Sequence, residues 1–185
     1  MHHTSPITHI HAKFLDMKRL EHRTDDFTTI RDLYAAGVLN KVGDAVKLLD
    51  VRQGGTALRS PIHLEVNQAS KTAIEAVEKA GGTVTCVHLN KLAMRTILKP
   101  YKFQLLPRRA RPNPKLMPYY LDHTRAGFLS PEIQRRNLEL FGTVTSEKKY
   151  REEHENWMNV MRVELKEQRR QLLEAAGKGD GDGEK

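Results

Sequence analysis

The stretch that decides the fold is Ile62-His-Leu-Glu-Val-Asn-Gln-Ala-Ser-Lys-Thr-Ala-Ile-Glu-Ala-Val-Glu-Lys-Ala-Gly-Gly-Thr-Val-Thr-Cys-Val87. Ile62, Leu64 and Val66 alternate with His63, Glu65 and Asn67, the period-two pattern of a strand with one face buried. Ser70 stands where a hydroxyl accepts a free amide at a helix start. Ala73, Ile74, Val77 and Ala80 then recur at three- and four-residue spacing and make one apolar side. Gly81 tolerates the left-handed backbone that ends a helix, and Gly82 lets the chain turn back. Val84 and Val87 begin a second buried strand. A helix of about 11 residues is marginal by itself, so Ile74 and Val77 must pack on the strand pair. The pattern predicts a β-α-β unit.

Upstream, the sequence predicts a short helix from Thr28 to Ala36, capped by Thr28 or Thr29 and ended by Gly37. Ile30, Leu33 and Tyr34 share its inner face. Val46, Leu48 and Leu49 predict a strand near 45–50, closed by a turn at Gly54-Gly55. Downstream, Glu147 to Ala176 predicts one long helix with Tyr150, Trp157, Met161, Leu165 and Leu172 on a single stripe. So narrow a stripe does not bury a long helix in a core of its own. Trp157, Met161 and Leu165 are therefore read as anchors of a protein interface. Residues 177–185, rich in Gly and Asp, predict a flexible tail.

Charge is unevenly spread. The chain of 185 residues carries 31 Lys and Arg against 23 Asp and Glu, a formal net charge of +8. Residues 99–136 hold nine of those cations against only Asp122 and Glu132, and six of the eight prolines. Prolines so crowded predict an extended, semi-rigid path with no regular helix. Such a path lets Lys99, Lys102, Arg108, Arg109, Arg111 and Lys115 follow a phosphate backbone, because guanidinium and ammonium groups displace its counterions. Tyr101, Phe103, Tyr119, Tyr120 and Phe128 interleave and offer faces for bases or for protein. Lys71, one residue inside a helix start, and Lys91 are further phosphate candidates.

Other chemistries find no support. No G-x-G-x-x-G, Walker-type loop, C-x-x-C or H-E-x-x-H occurs, so no catalytic residue, cofactor or metal site is assigned. His2, His3, His9 and His11 lack a thiolate or carboxylate to complete a rigid metal set and read as a solvated, flexible N-terminus over 1–12. His22 with Asp25 and Asp26 matches a general-base arrangement in composition only. The single cysteine, Cys86, lies between valines in a strand and reads as a buried hydrophobe. No apolar run approaches the ~20 residues of a membrane span.

The unit 62–87, taken with Leu33-Tyr-Ala-Ala-Gly-Val38 and Val46-Lys-Leu-Leu-Asp50, resembles the C-terminal globular domain of large-subunit ribosomal protein fifteen, the L-fifteen family. The resemblance lies in Ser70-Lys71-Thr72-Ala73, in Ala80-Gly81-Gly82 and in their order. Leu98-Lys-Pro100, Pro114 to Asp122 and Arg125 to Pro131 are similar to the extension of its mitochondrial members. The glycine- and arginine-rich arm of that family has no counterpart in this sequence.

The resemblance implies an α/β fold of irregular β-β-α turns stacked as a short superhelix, to which composition and periodicity add an extended basic segment and a long C-terminal helix. Together these readings divide the chain into 1–12, a globular domain 13–98, a basic extension 99–142, a helix 143–176 and a tail 177–185. The resemblance implies a non-catalytic constituent of the mitochondrial large ribosomal subunit, whose partners are large-subunit ribosomal RNA and neighbouring ribosomal proteins. No membrane and no stand-alone homo-oligomer is expected. The rival reading is a protein-interaction module that docks within a ribonucleoprotein and makes no RNA contact of its own.

Overall fold

Four segments reach a helix in the same way. Each contributes a residue or strand to a parallel ladder, turns through a small polar residue, and then coils. Thr28 bridges to Leu64 and precedes α1 (Ile30–Ala35). Strand β3 (His63–Val66) precedes α2 (Lys71–Lys79), and β5 (Thr83–Cys86) precedes α3 (Lys91–Leu98). Gly127 bridges to Cys86 and precedes α5 (Pro131–Phe141). This computed structural model describes residues 7–11, 26–40, 42–49, 58 and 61–177.

The caps follow from the residue types at each start. Asp32 accepts from the amide and hydroxyl of Thr29, at 2.9 and 2.8 Å. Ser70 accepts from the Ala73 amide at 3.2 Å, and Asn90 from the Ala93 amide at 2.8 Å. Each of these bonds from an amide satisfies a donor that the helix itself leaves unpaired. Pairing β3 with β5 sets His63 against Thr83 and Val66 against Cys86, so successive units repeat at an interval of 20 residues. A second parallel sheet runs β1 (Ile7–His11), β2 (Ala45–Leu49), β4 (Gln68–Ala69). The core draws on these units and on the second sheet: Leu33, Val46, Leu64, Val66, Val77 and Val84 are almost fully buried, and Ile133 of α5 is buried with them. Burying a side chain of this kind contributes about 1.5–3 kcal/mol.

The β-α-β unit at 62–87 and the mixed α/β class are as the sequence predicts. Cys86 is buried, and Gly37 and Gly81 take positive φ at the ends of α1 and α2. Three expectations need correction. Residues 7–11 are a strand and not a flexible end, because Ile10 is buried while the backbone pairs in parallel with β2. Prolines do not keep helices out of 99–136. Helix α4 (Met117–Leu121) carries Pro118 in its first turn and α5 opens on Pro131, where a missing amide breaks no helical hydrogen bond. Strands β3 and β5 bury both faces: Glu65 and Thr85 are as covered as Leu64 and Val84. The turn at Gly54-Gly55, the His22–Asp25 cluster and the tail from 178 lie outside the described residues.

The chain divides into two units, residues 1–147 and 148–185. The described part of the extension 99–142 thus belongs to the same unit as the globular body. Helix α6 (Glu147–Gly177) has 31 residues, a rise of about 46 Å at 1.5 Å each. Along it Trp157, Val160, Leu165 and Leu172 are exposed. Among the described residues no helix is long and apolar enough to cross a membrane.

Two glycines separate steric need from conformational need. A Cβ on Gly82 would stand 2.2 Å from the Ile62 carbonyl oxygen, whereas Gly142, at φ +67°, has nothing within 4 Å. Gly82→Ala is expected to cost about 3 kcal/mol or more, the upper end of overpacking effects, and Gly142→Ala about 1–2 kcal/mol. Urea denaturation of the two variants measures the difference; equal losses would contradict the packing described.

Candidate nucleic-acid interface

Covering the second face of β3 and β5 requires partners for the polar side chains there, and the extension, the residues just after it and the body itself supply them. Glu65 accepts from Arg109 Nη1 at 3.0 Å, from the Ser146 amide at 2.7 Å and from the Ser146 hydroxyl at 2.9 Å. Asn67 accepts from the Val46 amide at 2.9 Å and donates to the Leu89 carbonyl at 3.3 Å. Asn137 donates to the Thr85 hydroxyl at 3.0 Å and to the Val144 carbonyl at 2.8 Å. Arg136 donates to the Val84 carbonyl at 2.8 Å. Buried polar groups left without such bonds would each cost about 1–3 kcal/mol.

The aromatic residues of the extension turn inward as well. The Tyr119 hydroxyl accepts from the Ala69 amide at 3.1 Å, and the Tyr120 hydroxyl donates to the Asn67 carbonyl at 3.3 Å. Burial pushes the Tyr120 hydroxyl up to about 12. Phe128 meets Tyr120 edge-on with ring centres 5.6 Å apart. Of the five interleaved aromatics, Tyr101 is the exposed one, 60% accessible. Arg125 lies over the Tyr119 ring at 5.2 Å and 3.8 Å from Asp122.

The eight cations assigned from the sequence therefore part company. Arg109 is withdrawn from the phosphate set: its side chain is 14% exposed and is held by Glu65 and, at 3.7 Å, by Glu147. Sequence reasoning grouped it with its neighbours because the run 108–111 carries no mark of which arginine points inward. Lys71, Lys99, Lys102, Arg108, Arg111 and Lys115 are exposed, with no ion pair among the described residues. Lys91 is 87% exposed and stands 3.9 Å from Asp44, a pairing too solvated to hold it. Lys71 and Lys91 open α2 and α3, so the 20-residue repeat puts them at equivalent places in successive units. Trp157, Met161 and Leu165 lie on α6, in the separate second unit.

Sequence reasoning missed Glu65, Asn67 and Asn137 as organising residues. Glu65 stands between Leu64 and Val66, as an ordinary solvent-facing strand residue would, and Asn67 and Asn137 have a polar or charged neighbour in sequence, so none of the three carries a local mark of burial.

Comparison with known proteins agrees with this architecture. Residues 12–85 match the family described as ribosomal proteins 50S-L15 and 50S-L18e together with their 60S counterpart. The large ribosomal subunit protein uL15m of Danio rerio is 33% identical over 101 residues, covering 51% of this chain and 33% of its own. That of Schizosaccharomyces pombe is 30% identical over 119 residues, covering 64% and 45%. The uL15 protein of Methylorubrum extorquens is 46% identical over 67 residues, covering 36% and 37%. The chain thus spans less than half the length of these relatives. Fold and match together define a domain of the class found in large-ribosomal-subunit proteins. Within that class, residues 12–85 match a domain of the ribosomal L15 family.

Three outcomes follow from the buried groups. Arg109→Ala leaves the Glu65 carboxylate buried without its cation and is expected to cost about 3–5 kcal/mol in chemical denaturation. The double change Glu65→Leu with Arg109→Met is expected to cost less than Arg109→Ala, since neither charge is then stranded. Burial also pushes the Cys86 thiol up to about 12, so at pH 8 only roughly one thiol in ten thousand is ionised. Iodoacetamide at pH 8 is expected to leave the native protein unlabelled and to label it after unfolding in urea; rapid native labelling would contradict the burial.

Proposed function

We propose that this chain is a structural component of the mitochondrial large ribosomal subunit, gripping large-subunit ribosomal RNA through Lys71, Lys91, Lys99, Lys102, Arg108, Arg111 and Lys115. The observation that carries the reading is the division of the cations. Arg109 and Arg136 hold the extension to an L15-family domain, while most of the rest stand outward with no ion pair among the described residues. Outward cations on one anchored segment favour a polyanion, because each phosphate contact releases counterions. The uL15m relatives in two organisms support the mitochondrial assignment.

In this reading the globular domain 13–98 supplies the platform and the extension 99–142 supplies most of the grip. Strand β1 adds to that platform by pairing with β2. Helix α6, which occupies most of the separate unit 148–185, carries the remaining contact residues. The exposed Trp157, Val160 and Leu165 of α6 favour a second contact, with a neighbouring ribosomal protein, and Met161 lies on the same stripe. Incorporation into a ribosomal particle needs neither a stand-alone homo-oligomer nor a membrane.

Replacing Arg108, Arg111 and Lys115 together by Ala tests the grip. Large-subunit incorporation, followed by gradient sedimentation, is expected to fall, while the urea midpoint of the isolated protein stays near that of the parent. The salt dependence of RNA binding is expected to flatten by about 2 in its logarithmic slope, at ~0.7 per lost contact with a single strand. Unchanged incorporation and an unchanged slope would remove these residues from the interface.

A further inference from the structure

A half-open groove of about 470 Å³ lies where the extension crosses the end of β5. Val87, Met117 and Phe128 give it apolar walls, His88 and Gln134 add polar edges, and Arg111 stands on its lining. We propose that this groove receives one nucleobase swung out of a single-stranded stretch of RNA, with Arg111 on the adjacent phosphate. The proposal rests on the RNA-binding reading above and adds a base-recognition site to it.

The volume falls within the ~300–1,000 Å³ range of pockets that enclose small planar ligands. The flat surfaces are held in place before any ligand arrives. Both the Phe128 ring and the His88 ring meet Tyr120 edge-on, each with centres 5.6 Å apart, and Tyr120 is anchored to the Asn67 carbonyl. Burial lowers the affinity of His88 for a proton, so near pH 7 it presents a neutral ring. Gln134 donates to the Phe128 carbonyl at 3.2 Å, which leaves its own carbonyl oxygen to accept from a base's amino group. The acid on the lining, Glu147, is engaged by Arg109, while Arg111 is exposed and has no carboxylate partner among the described residues. An apolar side chain from a protein would fill the same walls but leave His88 and Gln134 facing nothing polar. RNA recognition of this kind commonly stacks splayed bases on aromatic faces beside phosphate-binding cations.

The test compares the full chain's affinity for a 12-nucleotide single-stranded RNA with that for a ribose-phosphate 12-mer of the same charge lacking bases. The parent protein is expected to bind the base-free strand roughly tenfold more weakly, the scale of one stacked base. Phe128→Leu keeps apolar bulk but removes the aromatic face, and Ala110→Trp plugs the groove from an exposed position on its lining; both are expected to abolish that difference. Arg111→Ala is expected to weaken both ligands alike and flatten the salt dependence. If the parent discriminates no better than Phe128→Leu and Ala110→Trp, with salt-dependent binding intact, the base site is overturned and the RNA reading stands. If neither strand binds, both fall.

Discussion

A carboxylate between two layers of the protein organises most of what surrounds it. Glu65 lies in a strand whose other inward residues are aliphatic, and its side chain is 2% exposed. Left alone there it would be strongly destabilising. It is held instead by a guanidinium, an amide and a hydroxyl, all from residues 109 and 146. Satisfying one acid thus requires a segment more than forty residues away to fold back across the strand. Once that segment is in place, its own polar groups need partners, and Asn67, Thr85 and Asn137 provide them. A network of this type is stable only when complete, because each partner removed strands another in a low-dielectric interior.

That constraint also sorts the charges. A basic run laid over a neutral surface would present its cations statistically. Here one arginine of the run is drawn inward by Glu65 and another, from α5, by the Val84 carbonyl, so the remainder are left facing outward. The inward members fix where the backbone runs, and the outward members take their position from it. A cationic surface built this way is preorganised, which reduces the ordering cost that a free basic linker would meet on binding a polyanion.

The parallel ladder explains why the same short sequence device recurs. Thr29, Ser70 and Asn90 each stand between a ladder position and a helix, since a parallel arrangement requires the chain to cross back between strands and a capped helix is the compact way to do it. Gly82 and Gly127 mark where backbones approach too closely for a side chain: a Cβ on either would stand 2.2 Å from a carbonyl oxygen. Neither glycine announces this locally. Gly82 reads simply as the second half of a helix stop.

The sequence by itself determined the β-α-β unit, its caps, the burial of Cys86 and the long helix, because these depend on periodicity and on residues within one turn of each other. Hydrophobic alternation at Ile62, Leu64 and Val66 is visible without knowing what lies above it. Only the tertiary structure decided the fate of Glu65 and Arg109, which are 44 positions apart and meet across the second face of β3. It likewise decided that Tyr119, Tyr120 and Phe128 support the body from within, and that proline at the first turn starts α5 where a composition count forbids a helix. Local patterns record what a residue tolerates, whereas a buried charge is settled by whichever distant group arrives to meet it.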